Sequence, residues 1–80
     1  MDDLSRVFDA LANEHRREII RLLALQPRSI SQLAELRGLS LPAIHKHVRV
    51  LEEAAMVSRR KLGRTNFRAL EREPLSRLQA

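Results

Sequence analysis

The 80-residue sequence has no cysteine, no tryptophan and no tyrosine, and only two glycines, two phenylalanines and three prolines. Without cysteine there is no disulfide framework, no thiolate nucleophile and no cysteine-based zinc site. That composition fits a reducing cytosol. With only Phe8 and Phe67 available to stack on bases, the chain lacks the platforms used by single-strand and RNA binders. Two glycines build no phosphate-cradling loop, and no side chain pairs with a base as an activated nucleophile, so no catalytic residue, cofactor or enzymatic activity is expected. The apolar runs are short, so neither a membrane span nor a signal peptide is expected. A content of 44% apolar and 31% charged residues is that of a folded soluble protein, not a disordered one. Residues 1–80 read as a single domain, which at this size buries only about 60–65% of its unfolded surface. Such a marginal core gains from a second subunit.

What is present is charge in one place. The formal net charge is +5. Residues 1–40 balance six arginines against six acids, and residues 71–80 balance two against two. Residues 41–70 hold Lys46, Arg49, Arg59, Arg60, Lys61, Arg64 and Arg68 against Glu52 and Glu53 alone. A scattered basic surface is ordinary, but an excess confined to one segment points to a polyanionic partner.

Apolar periodicity and capping residues divide the chain. Leu4, Val7, Phe8 and Leu11 recur at helical spacing, which predicts a helix over about 3–12. Asn13 is a suitable cap for a second, over about 14–25, stopped before Pro27. Ser31 is read as the cap of a short third helix to about 37, ended by Gly38 in a left-handed turn. Ser40 caps a fourth from about 41 to 55, with Pro42 in its first turn, where a missing N–H costs nothing. VSRRKL and TNFRAL flank Gly63-Arg64 as the arms of a β-hairpin over about 57–70. Their few apolar residues require it to lean on the helices. PLSRLQA reads as the start of a terminal helix from about residue 74. Helix, short helix, tight turn, longer helix and basic hairpin make a mainly α fold with a small β-hairpin, a winged helix-turn-helix. Ala34, small where two helices approach, and Ile44, a core position of the second, fit that turn.

The stretch SLPAIHKHVRVLEE raises a question about its two histidines. Stepping about 100° per residue from Ile44, Val48, Leu51 and Ala55 fall within about 40° of it and form the buried stripe. Pro42, His45, Lys46, Arg49 and Glu53 fall between about 100° and 200°, away from the core. His47 lies near about −60°, on the shoulder of the stripe, and is read as a half-buried bracing residue with one nitrogen hydrogen-bonded. Histidines chelate a metal from one helix at i,i+3 or i,i+4, not at i,i+2. No metal site is expected.

LANEHRREIIRLL, SISQLAELRGLSLPAIHKHVRVLEEAAMVSRRKLGR and TNFRAL together resemble the DNA-binding domain of ArsR-type transcriptional regulators, from about Phe8 to Leu75. LSLPAIHKHVRVLEEA followed by VSR is similar to the branch without metal-binding cysteines. The resemblance implies a dimeric bacterial or archaeal regulator that works in the cytoplasm and represses by holding operator DNA. The family's metal ligands do not carry over: the third helix reads QLAELR where metal sensors place a cysteine pair, and PLSRLQA lacks the carboxylate and histidine ligands of other members. Arg37 stands where an apolar residue is commoner, and Asn13-Glu14 where Asp-Pro is.

On this reading the partners are double-stranded DNA and a second copy of the chain; no membrane is involved and the residues name no effector. Leu41, Pro42 and Ala43 are expected to meet thymine methyls, and His45, Lys46 and Arg49 to meet bases and nearby phosphates. Arg59, Arg60, Lys61 and Arg64 are expected to grip phosphates or enter the minor groove. Ser29, Ser31 and Gln32 are expected to anchor a phosphate at the start of the third helix. Leu4, Val7, Phe8 and Leu11 of the first helix, with Leu75 and Leu78 of the last, are expected to form the homodimer interface. The competing expectation is a winged-helix module that docks on an acidic protein surface; salt-dependent duplex binding separates the two.

Overall fold

A computed structural model describes residues 2–72. The expected terminal helix, with Leu75 and Leu78, lies outside the described residues. Four helices, α1 (Asp3–Leu11), α2 (Glu14–Leu25), α3 (Ile30–Arg37) and α4 (Leu41–Glu53), precede an antiparallel hairpin of β1 (Val57–Leu62) and β2 (Thr65–Leu70). This is the winged helix-turn-helix layout.

Each helix starts on a side chain that accepts an orphan backbone N–H. Asp2 accepts from Ser5 at 2.7 Å, which holds its carboxyl below the ordinary range, and Asn13 accepts from Arg16 at 3.1 Å. Ser40 Oγ accepts from Ala43 at 3.3 Å. The cap of α3 is Ser29, not Ser31. Its Oγ accepts from the Gln32 N–H at 3.1 Å while Gln32 Oε1 accepts from the Ser29 N–H at 2.9 Å. Two N–H groups are satisfied reciprocally, an arrangement a cap at Ser31 does not offer.

The core is assembled from one stripe per helix. Ile19, Leu33, Ile44, Val48 and Leu51 are fully buried, with Val7, Ala10, Leu23, Ala34, Ala54, Met56 and Val57 around them. Each fully buried Ile or Leu stabilises the fold by roughly 1.5–3 kcal/mol. Val7 belongs to this core at 5% exposure, so it is spent inside the protomer and is not part of an outward apolar face. Leu11 is half-buried against the same core.

Two chain reversals share one geometry. After α3, Gly38 has φ +65 and the Leu39 N–H returns to the Ala34 carbonyl at 3.1 Å. After α4, Ala55 has φ +58 and the Met56 N–H returns to the Leu51 carbonyl at 3.0 Å. Both are Schellman-type endings, which favour glycine at the left-handed position. The second has alanine there. It also ends α4 at Glu53, two residues short of the expected boundary.

The wing is fixed at its base. The hairpin pairs Val57 with Leu70 through Leu62 with Thr65, and turns on Gly63 (φ +63) and Arg64. Positive φ at the first turn residue only matches a type II′ turn. Arg28, just before α3, adds a third-strand bridge: its N–H donates to the Arg68 carbonyl at 3.0 Å, and its carbonyl accepts from the Arg68 N–H at 2.7 Å.

Arginines and histidines join the helices behind α4. The Arg16 guanidinium donates to the Ala10 and Asp9 carbonyls at 2.9 Å each, satisfying the end of α1. The same group reaches His47 Nδ1 at 3.4 Å, and Arg37 reaches His15 Nδ1 at 2.9 Å. The two imidazoles lie 5.6 Å apart between centroids. Guanidinium has only donors, so Nδ1 is the accepting atom in each contact. His47 is thus the half-buried brace expected of it, and Arg37 ties α3 to α2. Burial first, then the positive charges of Arg16, His15 and Lys46, holds the His47 pKa below the ordinary imidazole value.

Three substitutions test these features. With no atom near either glycine to hinder a Cβ, Gly38→Ala loses about 1 kcal/mol in urea unfolding from backbone strain alone. Ala55→Gly gains about 0.5–1 kcal/mol, because the strain relieved exceeds the added chain entropy. For His47 the folded state favours the neutral ring, so the unfolded chain binds the proton first as pH falls. Stability is complete above about pH 6.5 and declines below it, through the lower folded value. His47→Gln flattens that decline in urea titrations; parallel profiles for the two proteins refute it.

Candidate nucleic-acid interface

Because Ile44, Val48 and Leu51 must face the core, the opposite side of α4 faces out. Leu41, Pro42, His45, Lys46 and Arg49 are exposed and Ala43 is half-buried. Of these, Pro42, His45, Lys46 and Arg49 are the residues the helical period turns away from the core. Lys46 and Arg49 make no hydrogen bond or ion pair among the described residues, so both ammonium and guanidinium are free for a ligand.

An open cleft of about 480 Å³ lies beside this face. Ser29, Ile30 and Ser31 supply one wall from the start of α3, and His45 contributes from α4. Arg59, Arg64, Thr65, Asn66 and Arg68 supply the other wall from the wing. Five residues singled out by sequence therefore meet here: Ser29, Ser31, His45, Arg59 and Arg64. Strand alternation explains why Arg59, Asn66 and Arg68 share it, since the pairing of Arg59 with Arg68 and of Lys61 with Asn66 puts these residues on one face.

Other expectations are redistributed. The acceptors of Ser29 and Gln32 are already engaged in the α3 cap, so what this segment offers a ligand is first-turn backbone N–H and the exposed Ser31 hydroxyl. Arg59 is exposed but not free: its Nε donates to Glu52 Oε2 at 2.8 Å. Arg60 points to the other face of the wing, where it lines a recess with Leu25, Pro27 and Arg72. Lys61 and Arg64 are exposed near the hairpin tip.

Arg68 went unassigned by sequence, and it is the most unusual residue of the site. It is buried, and the Glu52 carboxylate is its charge partner at 3.8 Å. Burial lowers its pKa, an effect that Glu52 opposes and Arg59 adds to. Only the strand register and the Arg28 bridge bring it, with Thr65 and Asn66, against Ile30 in the cleft. No local pattern signals that.

On the far side, α1 leaves Leu4 at 49% and Phe8 at 64% exposure. These two remain, among the described residues, an uncovered apolar face after Val7 has turned inward. Among the described residues no helix is long and apolar enough to cross a membrane.

Residues 11–60 match the helix-turn-helix domain family. Across all 80 residues the chain is 30% identical to the HTH-type transcriptional regulator Rv0324 of Mycobacterium tuberculosis, of which it spans 35%. It spans 58% of the length of a second curated relative. The crystal structure of the ArsR family transcriptional regulator RHA00566 superposes with a TM-score of 0.84 at 32% identity, over 98% of this chain and 86% of that one. The homodimeric winged helix-turn-helix DNA-binding domain of Mb0332 from Mycobacterium bovis, a possible ArsR-family regulator, matches with a TM-score of 0.84 at 30% identity. That match covers 96% of this chain and 71% of the other. With the tight turn, the outward-facing helix and the wing all matched, this chain belongs to the ArsR-type winged helix-turn-helix transcriptional regulators.

Proposed function

We propose that the chain binds an inverted-repeat operator in duplex DNA as a homodimer and represses transcription in the cytoplasm. The observation that carries this reading is the placement of charge: Arg59, Arg64 and Arg68 of the wing line one cleft with His45 of α4, and Lys46 and Arg49 stand exposed on the outward side of the same helix. In the proposed complex α4 enters the major groove. Leu41, Pro42 and Ala43 contact thymine methyls, while His45, Lys46 and Arg49 meet base edges and flanking phosphates. Lys61 and Arg64 at the wing tip hold phosphates or enter the minor groove, and Arg60 contributes from the wing's other face. Ser29, Ser31 and Gln32 lie where the start of α3 approaches the backbone.

The exposure of Leu4 and Phe8 supports a subunit contact through α1, joined by Leu11 at its edge and by Leu75 and Leu78. The homodimeric state of the Mb0332 domain supports the same assembly. A two-fold dimer sets its reading helices about 34 Å apart, one turn of DNA, and so selects an inverted repeat.

The test is a titration on the DNA upstream of its own gene at several salt concentrations. Lys46→Ala and Arg49→Ala each weaken specific binding by about 1–3 kcal/mol if they reach bases. Arg64→Ala instead lowers the log–log salt slope by about one. Binding without sequence preference, unchanged by either class of substitution, rejects the proposal. Absence of salt-dependent duplex binding favours an acidic protein partner instead.

A further inference from the structure

We propose that the floor of the cleft is a built seat for a single phosphate group, with Arg68 as its innermost cation and the first turn of α3 as its opposite wall. The proposal rests on the DNA-binding reading, in which that phosphate belongs to the duplex backbone.

The first observation is an unsatisfied charge. The Arg68 side chain is only 6% exposed, yet its Nε has no hydrogen-bond partner. The nearest carboxylate oxygen, Glu52 Oε2 at 3.8 Å, already accepts from Arg59 Nε at 2.8 Å. One carboxylate therefore serves two guanidinium groups, and one positive charge at the floor is left over. Arginine does not shed its proton to escape burial, and an uncompensated buried charge is strongly unfavourable. An anion arriving in the cleft removes that penalty.

The second observation is the wall it faces. Ile30 and Ser31 line the cleft with Arg68. In the first turn of α3, Gln32 N–H is taken by Ser29 Oγ at 3.1 Å and Leu33 N–H by the Ser29 carbonyl at 3.0 Å. The N–H groups of Ile30 and Ser31 have no partner among the described residues. A helix N-terminus with free N–H groups favours an anion, here opposite a buried cation and not open water.

The third observation is that the two walls are locked together. The paired hydrogen bonds between Arg28 and Arg68, 3.0 and 2.7 Å, join the residue before the α3 cap to the residue that supplies the cation. The seat is preorganised, so little ordering is needed when a phosphate enters. The forked guanidinium groups of Arg68 and Arg59 suit the oxygen geometry of a phosphate. Glu52 competes for the same cations and holds Arg59 until the anion arrives.

The experiment has two arms on the 80-residue chain. In the first, inorganic phosphate is titrated at constant ionic strength against chloride while the Ile30 and Ser31 amide resonances are followed by NMR. Saturable shifts are expected, abolished in Arg68→Met and reached at several-fold lower phosphate in Glu52→Gln. In the second, duplex affinity is measured against salt, where Arg68→Met is expected to reduce the log–log slope by about 0.9, one phosphate contact, and Glu52→Gln to tighten binding. Because loss of fold does not mimic tighter binding, Glu52→Gln decides the matter should Arg68→Met unfold. Linear phosphate shifts alike in all three proteins, with an unchanged duplex slope, overturn the seat and leave the DNA reading standing. Saturable, Arg68-dependent phosphate binding without duplex binding overturns the duplex assignment and makes the seat one for a free anion.

Discussion

One helix has to serve the core and the ligand at once, and the rest of the architecture follows from how α4 divides its circumference. Ile44, Val48 and Leu51 are fully buried. In a core this small, no other element replaces their volume. Once those three are fixed, the helical period points Lys46 and Arg49 outward, with no freedom left for the helix to rotate. Recognition geometry is thus a by-product of packing. A change that let α4 turn by one residue, about 100°, would carry Arg49 toward the core and Ile44 out of it. The energetic gap against that slip is what keeps the reading face in register.

The same economy governs charge. The excess cations are not spread over a solvated face but graded by depth. Lys46, Arg49 and Arg64 stand in solvent, Arg59 is held by Glu52, and Arg68 lies beneath it. Exposed ion pairs are worth little because water screens them. The Arg59–Glu52 pair therefore contributes more to the orientation of Arg59 than to stability. Arg68 differs, since burial removes the screening and leaves its charge to be answered by whatever enters the cleft.

Local chemistry was legible and distant pairing was not. Helix boundaries came from periodicity and caps, which depend on residues within four positions of each other, and the sidedness of α4 came from the period alone. The cap of α3 at Ser29 and not Ser31 was legible as well, because Ser29-Ile30-Ser31-Gln32 contains the reciprocal Ser-x-x-Gln spacing. Ala55 gave no warning, because glycine is the usual mark of a left-handed residue. Val7 was assigned to an outward face since a helical stripe shows which residues share a side, not which side the core takes. The Arg28–Arg68 bridge, the Arg59–Glu52 pair and the burial of Arg68 depend on strand register and on contacts between residues far apart in sequence. Composition showed that the charge was concentrated; only the fold shows which of those cations is inside.

Strain and restraint are distributed along the wing in a way that bears on recognition. Its base is tied by the two Arg28–Arg68 hydrogen bonds and by the Glu71 N–H to the Met56 carbonyl at 2.8 Å. The junction from α4 passes through Ala55 in a conformation that alanine adopts at a cost of about 1–2 kcal/mol. A strained residue persists where its surroundings over-determine it, and here the buried neighbours Ala54, Met56 and Val57 do so. The tip has no such support: residues 59–66 are exposed throughout. The wing is therefore a lever with a rigid base and an adaptable end. The base sets the distance between Arg68 and the start of α3, while Lys61 and Arg64 at the tip stand in solvent, where in the proposed complex they would follow the local path of the DNA backbone. On the proposed reading, fixed spacing near α4 and latitude farther out is the arrangement that would let a protein with so small a core hold one register on an extended polyanion.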